Sequence, residues 1–312
     1  MDELRFDSRV AVVTGAGRGL GREYALLLAA RGARVVVNDL GGSVTGDGAG
    51  GDPATETAQE IKDRGGEAVA DTHSVATPEG GQAIIDTAVD TWGRVDILVN
   101  NAGTVSDANF DDMTSDRLNP LIDVHLKAAF FTTRPAWKVM RQANFGRIVN
   151  TTSAAGILGA PRMTNYGAAK TGIIGLTRVL AAEADGLDIT VNAIAPVAAT
   201  RMLGYSMGSA ADNPEAEALM RPFLDRLDPA LVAPVVAFLA HEDCPVSGEI
   251  YTVGGGQVSR FFIGRTRGYF NPRLTPEDVR THFDEIRDSS HHTVPAGPAD
   301  EMADLYQAIT AD

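Results

Sequence analysis

The sequence contains little cysteine, few cationic side chains and no long apolar run. Cys244 is the single cysteine among 312 residues, so no disulfide can form within the chain and nothing calls for an oxidising compartment. Lysine and arginine number 27 against 41 aspartates and glutamates, and the formal charge of −14 opposes binding to nucleic acid or to an anionic membrane. No stretch approaches the ~18 uninterrupted apolar residues of a membrane-spanning helix.

The amino terminus lacks the features of a secretory signal. Residues 1–5 carry acids where a signal peptide carries lysines, and no apolar run follows them. We therefore expect a cytoplasmic protein. Hydrophobic residues make up 44% of the chain and charged residues 22%, which is the balance of a globular protein with a sizeable core. The adjacent His291 and His292 have no cysteine or carboxylate at ligand spacing, so we expect no metal site.

Short apolar runs alternate with longer helical patterns along most of the chain. The runs are nearly continuous in apolar residues, as in a parallel sheet covered on both faces, and lie at 10–13, 35–37, 97–99, 148–149 and 189–191. The helical patterns lie at 21–30, 55–64, 80–91, 114–144, 164–184 and 229–239. This order predicts an α/β fold with a doubly wound parallel sheet flanked by helices.

A glycine pattern follows the first predicted strand and opens the first helix. Residues 14–21 read Thr-Gly-Ala-Gly-Arg-Gly-Leu-Gly, which allows a tight turn and brings a helix N-terminus close to a pyrophosphate. Asp39 ends the second strand about 20 residues later, where dinucleotide sites place a carboxylate on the adenosine ribose. That carboxylate would repel a 2′-phosphate, and Arg18 has no second basic residue to help it offset the repulsion. The pattern therefore predicts NAD rather than NADP.

Three further residues indicate proton transfer. Tyr166 and Lys170 stand four apart in a helical pattern, so their side chains share one helix face. A nearby ammonium lowers the pKa of a phenol from ~10 toward neutrality, which makes a general base. Ser153 follows the strand at 148–149, so its hydroxyl is expected in the same crevice. A tyrosine and a lysine four apart usually form an exposed helix face, but the glycine loop and the Asn-Asn-Ala-Gly segment at 100–103 favour a site.

The glycine loop, residues 100–103 and the Ser153…Tyr166-x-x-x-Lys170 set resemble, in this order, the short-chain dehydrogenase/reductase family over residues 6–258. The resemblance implies a Rossmann fold, NAD as cofactor and a reaction at a CH–OH group. It implies Ser153, Tyr166 and Lys170 as catalytic residues, with Ser153 and Tyr166 on the substrate. The dinucleotide contacts that it implies are Gly15, Arg18, Gly19, Leu20, Asp39, Ser74, Val75, Asn101, Tyr166, Lys170, Val197, Ala198 and Thr200. The chain departs from the family at Val197, where many members have glycine, and at His73, where an acid is common.

Other segments narrow the resemblance to a subfamily. Residues 38–42, Trp137, residues 146–148 and residues 201–202 resemble the (3R)-hydroxyacyl-CoA dehydrogenase units of multifunctional enzymes type 2, also described as 17β-hydroxysteroid dehydrogenases. His125 replaces a family asparagine that holds a relay water, and it is a packing residue, a relay member or a mark of the subfamily. The resemblance implies oxidation of a (3R)-3-hydroxyacyl-CoA in lipid metabolism, or of a hydroxysteroid.

Two other functions remain open but are disfavoured. Asp39 disfavours an NADPH-dependent 3-oxoacyl carrier-protein reductase, because its carboxylate would meet the 2′-phosphate. The complete set of Ser153, Tyr166 and Lys170 disfavours a non-catalytic NAD-binding protein, in which at least one of the three would be lost. We therefore expect an enzyme with a small-molecule substrate and neither nucleic acid nor membrane as partner.

The pattern changes near residue 258. We expect residues 1–258 to form the Rossmann domain, in which residues 41–51, with six glycines in eleven, are interpreted as a flexible surface loop. Residues 259–312 are expected to form a helical C-terminal extension that packs on the substrate side or on a dimer partner, with a helix at 279–287 and a loop at 289–298. The helices at 114–144 and 164–184 match those that pair between family subunits, which predicts a homodimer or tetramer. The apolar residues behind that prediction are Phe130, Phe131, Trp137, Ile173, Ile174 and Leu176.

The start of the extension reverses the charge of the rest of the chain. Residues 250–276 contain no aspartate or glutamate but four arginines, namely Arg260, Arg265, Arg267 and Arg273, with Phe261, Phe262, Tyr269 and Phe270 between them. Guanidinium groups suit the phosphates of coenzyme A, and they equally suit acids across a dimer interface. Both interpretations stay open at this point.

Overall fold

The computed structural model describes residues 3–48, 50, 52–207 and 220–310. Eight strands form one sheet in the order β3-β2-β1-β4-β5-β6-β7-β8. These strands are β1 Val10–Thr14, β2 Arg34–Asn38, β3 Glu67–Asp71, β4 Ile97–Asn100, β5 Gly146–Thr151, β6 Ile189–Pro196, β7 Ile250–Gly254 and β8 Gln257–Phe261. The α-helices that accompany the sheet are α1 Gly19–Ala30, α2 Asp52–Asp63, α3 Pro78–Trp92, α4 Ser115–Ile122, α5 Ala128–Ala143, α6 Ala154–Leu158, α7 Thr164–Glu183, α8 Arg201–Met207 and α9 Ala233–Leu239.

The sheet is parallel from β3 through β7, and the chain order reverses beside β1. Val12 pairs with Val36 of β2 on one side and with Leu98 of β4 on the other. Helices leave β1 and β4 in opposite directions at this point, which opens a crevice at the carboxyl ends of the strands. Gly255 and Gly256 have φ of 56° and 83° and join β7 to β8 in a two-residue turn, so β8 runs antiparallel. The predicted doubly wound sheet is confirmed.

The strands are continuously apolar because both faces of the sheet are covered. Val10 and Val12 point into a core cluster that contains Ile84 of α3 and Met140 of α5. The alternate residues of β1 point to the opposite cluster, which contains Tyr24 and Leu28 of α1 and Ile61 of α2. Each residue of β1 is therefore buried, whichever face of the sheet its side chain points to. Hydrophobic burial holds the helices against the sheet.

Several parts of the domain differ from the sequence-based expectation. Strands β3, β7 and β8 were not among the predicted strands, and in β3 both Glu67 and Ala70 are exposed. The chain is helical throughout residues 115–143, as predicted over 114–144, but a π-helical turn at Asp123–Lys127 lies between α4 and α5. Such a turn reorients the residues within it, and it places the His125 side chain in the interior.

The chain divides into two compact units, residues 1–260 and residues 261–312. In the second unit, Arg265–Thr266 (β9) pairs with His292–Thr293 (β10), so the loop expected over 289–298 is partly strand. Its helices are α10 Pro276–Thr281, α11 Phe283–Arg287 and α12 Pro298–Thr310. Thr275 begins α10 through a capping box with Asp278. Among the described residues, no helix is long and apolar enough to cross a membrane.

The apolar residues that suggested a dimer are mostly covered within the subunit. Ile173 and Ile174 of α7 lie in the core, with 2% and 8% of their surface exposed. Phe130 of α5 and Val179 of α7 remain exposed, by 50% and 56%. The surplus of apolar surface is therefore smaller than the sequence suggested, and a homodimer or tetramer stays a prediction.

Two helical glycines test how tightly the sheet and its first helix are packed. A Cβ on Gly21 would lie 2.2 Å from the Gly15 carbonyl oxygen, whereas a Cβ on the exposed Gly175 would meet nothing within 4 Å. Gly21→Ala should lower the free energy of unfolding by about 1–3 kcal/mol through overpacking. Gly175→Ala should raise it by roughly 1 kcal/mol because alanine favours helix. Thermal or urea unfolding measures both, and similar effects of the two substitutions would contradict the described packing.

Candidate functional site

The glycine loop between β1 and α1 is shaped by backbone contacts that admit no side chain. Gly15 and Gly19 have φ of +64° and +54°, a region that favours glycine. A Cβ on Gly15 would lie 2.8 Å from the Cα of Ala102 in the segment after β4. The loop thus leaves its amides and the first turn of α1 open toward the crevice, which suits a pyrophosphate.

Asn101 fastens this loop to the end of β4. Its side-chain amide donates to the carbonyl oxygens of Thr14 and Gly15, at 3.0 and 3.2 Å. The Thr14 hydroxyl in turn accepts from the backbone amides of Asn101 and Ala102, at 3.0 and 3.1 Å. The two strands at the switch point therefore end in one hydrogen-bonded unit, so the loop holds its shape.

Asp39 lies beside the loop at the end of β2. Its carboxylate accepts from the backbone amides of Gly17, at 3.0 Å, and of Gly41, at 2.8 Å. Arg18 is exposed, and its guanidinium donates to the Gly42 carbonyl oxygen at 3.4 Å. The carboxylate is held at the mouth of the cleft, where it would meet the ribose of a bound adenosine.

A cleft of about 250 Å³ runs along these elements. Its walls include Gly15, Arg18, Gly19, Leu20, Asp39, Ser74, Val75, Asn101 and Thr200, all of them predicted cofactor contacts. His73, which takes the place of an acid, also lines it, and its Nδ1 lies 2.9 Å from an Asp71 carboxylate oxygen. Burial opposes ionisation of Asp71, but hydrogen bonds from His73, Thr87 and Asn38 outweigh it and lower the pKa of this carboxyl.

Part of the glycine-rich segment also lines this cleft, although most of residues 41–48 are exposed, as expected of a surface loop. Gly42, Ser43, Val44 and Gly46 belong to its wall. The position of the segment in the chain could have suggested that it lines the cleft, because a loop that follows the second strand starts at the carboxyl edge of the sheet, where ligands bind. Glycine enrichment alone does not distinguish a mobile loop from one that needs positive φ.

The predicted catalytic residues meet in a second cavity of about 390 Å³. Ser153 follows β5 and is the N-cap of α6, and its hydroxyl accepts from the Ala155 amide at 3.2 Å. Tyr166 and Lys170 lie one turn apart on α7. The two cavities share Leu20, Asn101 and Thr200, so they adjoin. The second is walled largely by apolar residues, including Val105, Met163, Pro196, Met202 and Leu203.

Burial sets the protonation of the tyrosine and the lysine in the chain by itself. Lys170 is buried, its ammonium donates to the Thr151 carbonyl oxygen at 2.7 Å, and burial lowers its pKa to about 7. Burial also raises the pKa of Tyr166, opposed by a hydrogen bond with Ser153. The Lys170 nitrogen stands 5.6 Å from the Tyr166 ring centre. The expectation that a nearby ammonium brings the phenol pKa toward neutrality is therefore wrong for the chain by itself, because desolvation outweighs the hydrogen bond with Ser153.

His125 lines the second cavity, which is called the substrate cavity below, and packs against Tyr166. Its Nε2 lies 3.0 Å from the Thr104 amide nitrogen and 2.7 Å from the Thr104 oxygen. The ring contacts Tyr166 edge-on, with centroids 5.1 Å apart. Burial, reinforced by the charge of Lys170, lowers the pKa of His125 well below its ordinary value, so the ring is neutral. A Cβ on Gly103 would lie 2.5 Å from this ring, which explains the glycine there.

The remaining predicted cofactor residues follow β6. Val197 and Ala198 line the second cavity and Thr200 lines both. The Val197 amide donates to the Val253 carbonyl oxygen at 2.8 Å, so the sheet already uses the group that a cofactor amide would meet. Tyr166 and Lys170 complete the set on the opposite wall.

Two of the four arginines at the start of the extension have acidic partners within the chain. Arg260 pairs with Glu249 at 3.1 Å and Arg265 pairs with Asp304 at 3.3 Å. These two guanidinium groups are therefore partly neutralised where they stand. A charge-based attraction for phosphate rests on Arg267 and Arg273.

Comparison with known proteins identifies the family. The short chain dehydrogenase family matches residues 9–206. A short-chain type dehydrogenase/reductase of Mycobacterium tuberculosis is 44% identical over 283 residues, which are 90% of this chain and 95% of that protein. The chain belongs to the short-chain dehydrogenase family. It is thus an oxidoreductase of a family that acts on alcohols and typically binds a nicotinamide dinucleotide.

This short-chain dehydrogenase is also similar to larger peroxisomal enzymes. Peroxisomal multifunctional enzyme A of Dictyostelium discoideum is 39% identical over 309 residues, which are 99% of this chain and 66% of that protein. The structure of full-length peroxisomal multifunctional enzyme type 2 from Drosophila melanogaster has 34% sequence identity and a TM-score of 0.80, and the match covers 99% of this chain and 50% of that chain. The resemblance to these enzymes is confirmed. The dehydrogenase spans between half and two thirds of the length of these two relatives.

These comparisons contradict the cytoplasmic location expected from the sequence. Both larger relatives are named as peroxisomal proteins, and they match nearly the whole dehydrogenase. The expectation rested on an amino terminus unlike a secretory signal, an acidic composition and a single cysteine, which are compatible with more than one aqueous compartment. Composition therefore cannot assign the location.

Proposed function

We propose that this dehydrogenase oxidises a secondary alcohol with NAD, and that its substrate is a (3R)-3-hydroxyacyl-CoA, which becomes the 3-oxoacyl-CoA. The observation that carries the proposal is the meeting of Ser153, Tyr166 and Lys170 in one cavity. That cavity adjoins a cleft with a glycine loop and a carboxylate at its mouth. Alcohol oxidation needs a base and a hydride acceptor at the same carbon, and the adjoining cavities support both.

The three residues divide the proton chemistry. The Tyr166 phenolate takes the proton of the substrate hydroxyl, and the Ser153 hydroxyl donates a hydrogen bond to the same oxygen. Lys170 in its cationic form supports the phenolate electrostatically and orients the nicotinamide ribose. A bound NAD would supply the hydride acceptor for the alcohol carbon together with the positive charge of its nicotinamide. The apolar walls exclude water and strengthen each of these interactions.

The choice of acyl-CoA over other alcohols rests on the similarity to multifunctional enzymes type 2. A hydroxysteroid is the alternative, since the largely apolar cavity also suits a steroid ring system and the same three residues would act on it. A carrier-protein reductase that uses NADPH is disfavoured, because the Asp39 carboxylate would face a 2′-phosphate. Assays at 340 nm with NAD and NADP against 3-hydroxyacyl-CoA and hydroxysteroid panels test these choices together.

Replacing the base tests the chemistry. Tyr166→Phe keeps the ring but removes the phenol, so kcat should fall by about 10³-fold or more while NADH affinity, measured by fluorescence titration, changes little. In the wild type, kcat for oxidation should rise with pH, because burial raises the pKa of Tyr166 and alkali populates the phenolate. The variant should lose this dependence. A Phe variant that keeps a tenth of the wild-type kcat would show that another group is the base.

Replacing the carboxylate tests the cofactor. Asp39→Ser should weaken NAD binding and relax discrimination against NADP, because a like charge no longer faces the 2′-phosphate. The ratio of kcat/KM for NAD and NADP should fall by about tenfold or more, since a lost charge–charge contact is worth at least 1.4 kcal/mol in a partly desolvated site. Equal kcat/KM for the two cofactors in the wild type would overturn the assignment of NAD.

The unpaired arginines test the acyl-CoA assignment. Arg267→Gln together with Arg273→Gln should raise KM for an acyl-CoA, and more so at low salt, because screening already weakens the attraction at high salt. Turnover of a CoA-free hydroxysteroid should stay unchanged. Arg280→Gln in α10 together with Arg287→Gln in α11 of the same unit is the control for an equal change of charge outside this segment. Equal losses with both substrates would mean that the arginines do not act on CoA.

A further inference from the structure

Residues 41–48, which we name the glycine clasp, form a built structure over the cofactor cleft. Within the clasp, the Ser43 amide donates to the Asp47 carbonyl oxygen at 2.8 Å and the Gly46 amide donates to the Ser43 carbonyl oxygen at 3.1 Å. The Thr45 hydroxyl donates to the Asp47 carboxylate at 2.7 Å. At its base, the Gly41 amide donates to Asp39, the carboxylate proposed to bind the ribose. The clasp is therefore a turn with its own hydrogen bonds, joined directly to the ribose carboxylate.

The tip of the clasp contacts the segment that follows β4. The Val105 amide donates to the Val44 carbonyl oxygen at 3.1 Å. A Cβ on Gly46 would come within 3.1 Å of the Thr104 methyl carbon, so the tip lies close against this segment. Val44 and Gly46 line the cofactor cleft, whereas Val105 lines the substrate cavity. One hydrogen bond thus joins the walls of the two sites.

The contact continues toward the catalytic tyrosine. Residues 103–107, which we name the substrate segment, line the substrate cavity at Gly103, Val105, Ser106 and Asp107. The amide and carbonyl of Thr104 hold the His125 ring, which packs edge-on against Tyr166. A shift of the clasp tip would therefore reach the substrate wall directly and the tyrosine through one ring.

We propose that the glycine clasp couples the two sites: the adenosine half of the dinucleotide orders the clasp, and the clasp then fixes the substrate segment for the alcohol. This inference rests on the proposed function, because it takes NAD as the ligand of the cleft. Glycines lose the most conformational entropy on ordering, so ordering a glycine-rich clasp costs much free energy. A ligand that contacts the clasp can supply that free energy. By linkage, a dinucleotide that orders the segment must bind more tightly when the substrate is present.

Two probes separate this coupling from direct contact with the nicotinamide. ADP-ribose carries the adenosine half of NAD and the second ribose but no nicotinamide, whereas reduced nicotinamide mononucleotide carries that ribose and the nicotinamide but no adenosine. Hydrogen exchange of the substrate segment is measured at saturation with each. ADP-ribose should slow exchange of the Val105 amide by about fivefold or more, and the mononucleotide should slow it less. If bound ADP-ribose leaves that exchange unchanged, the clasp does not transmit binding.

Two glycines of the clasp offer a matched pair of variants. Gly46 and Gly48 both have positive φ, of +92° and +78°, so alanine strains the backbone at either position. A Cβ meets Thr104 only at Gly46, because nothing lies within 4 Å at Gly48. In Gly46→Ala, ADP-ribose should therefore no longer slow hydrogen exchange of the Val105 amide, whereas in Gly48→Ala it should still slow it. Thr104→Ser removes the methyl group in question, so it should restore the protection in the Gly46→Ala background.

The outcomes distinguish this inference from the proposed function. If neither NADH nor ADP-ribose binds, as measured by fluorescence and by calorimetry, the assignment of the cofactor has failed and the clasp has no ligand. If both bind and the two alanine variants behave alike, the cofactor assignment stands and the coupling is wrong. Should Gly46→Ala fail to fold, the comparison of ADP-ribose with the mononucleotide in the wild type still decides the question.

Discussion

The hydrogen bonds between Asn101 and the end of β1 are the contact on which the rest of the site depends. A doubly wound sheet opens a crevice where its strand order reverses, and the two strands beside that crevice diverge unless something joins their ends. Here one side-chain amide bridges the carbonyl oxygens of Thr14 and Gly15. Because the glycine loop and the substrate segment both start from this junction, the nucleotide cleft and the catalytic cavity share a wall.

Burial then sets the chemistry of that wall. The same desolvation that lowers the pKa of Lys170 to about 7 also raises the pKa of Tyr166, so burial favours the neutral form of both groups. In the proposed function, a base is needed only when substrate and cofactor are present together. The positive charge that NAD would bring favours the phenolate at that moment, and the empty cavity keeps the phenol neutral.

The sequence predicted those parts of the structure in which a residue pattern has a single physical cause. Continuous apolar runs such as Val10–Thr14 follow from coverage of both sheet faces, and the Tyr166–Lys170 spacing follows from the period of a helix. Strand β3 was not predicted, and two of its five residues are exposed. The sign of the Tyr166 pKa shift was not predicted because burial is a property of the folded chain and not of spacing.

Glycine shows most clearly where sequence reasoning ends. Close backbone contacts require glycine at Gly15 and Gly21. The sequence indicated this role, because both residues follow the first strand. The sequence did not indicate the role of the glycines at 41–48. A glycine can be present because its φ is positive, because another segment comes close or because nothing contacts it, and the sequence does not distinguish these causes. Gly46 and Gly48 stand two residues apart, and only one of them touches another segment. What separates a loop that merely turns from one that joins two sites is therefore the neighbour that each Cβ would meet, and that neighbour is Thr104, more than fifty residues away in the chain.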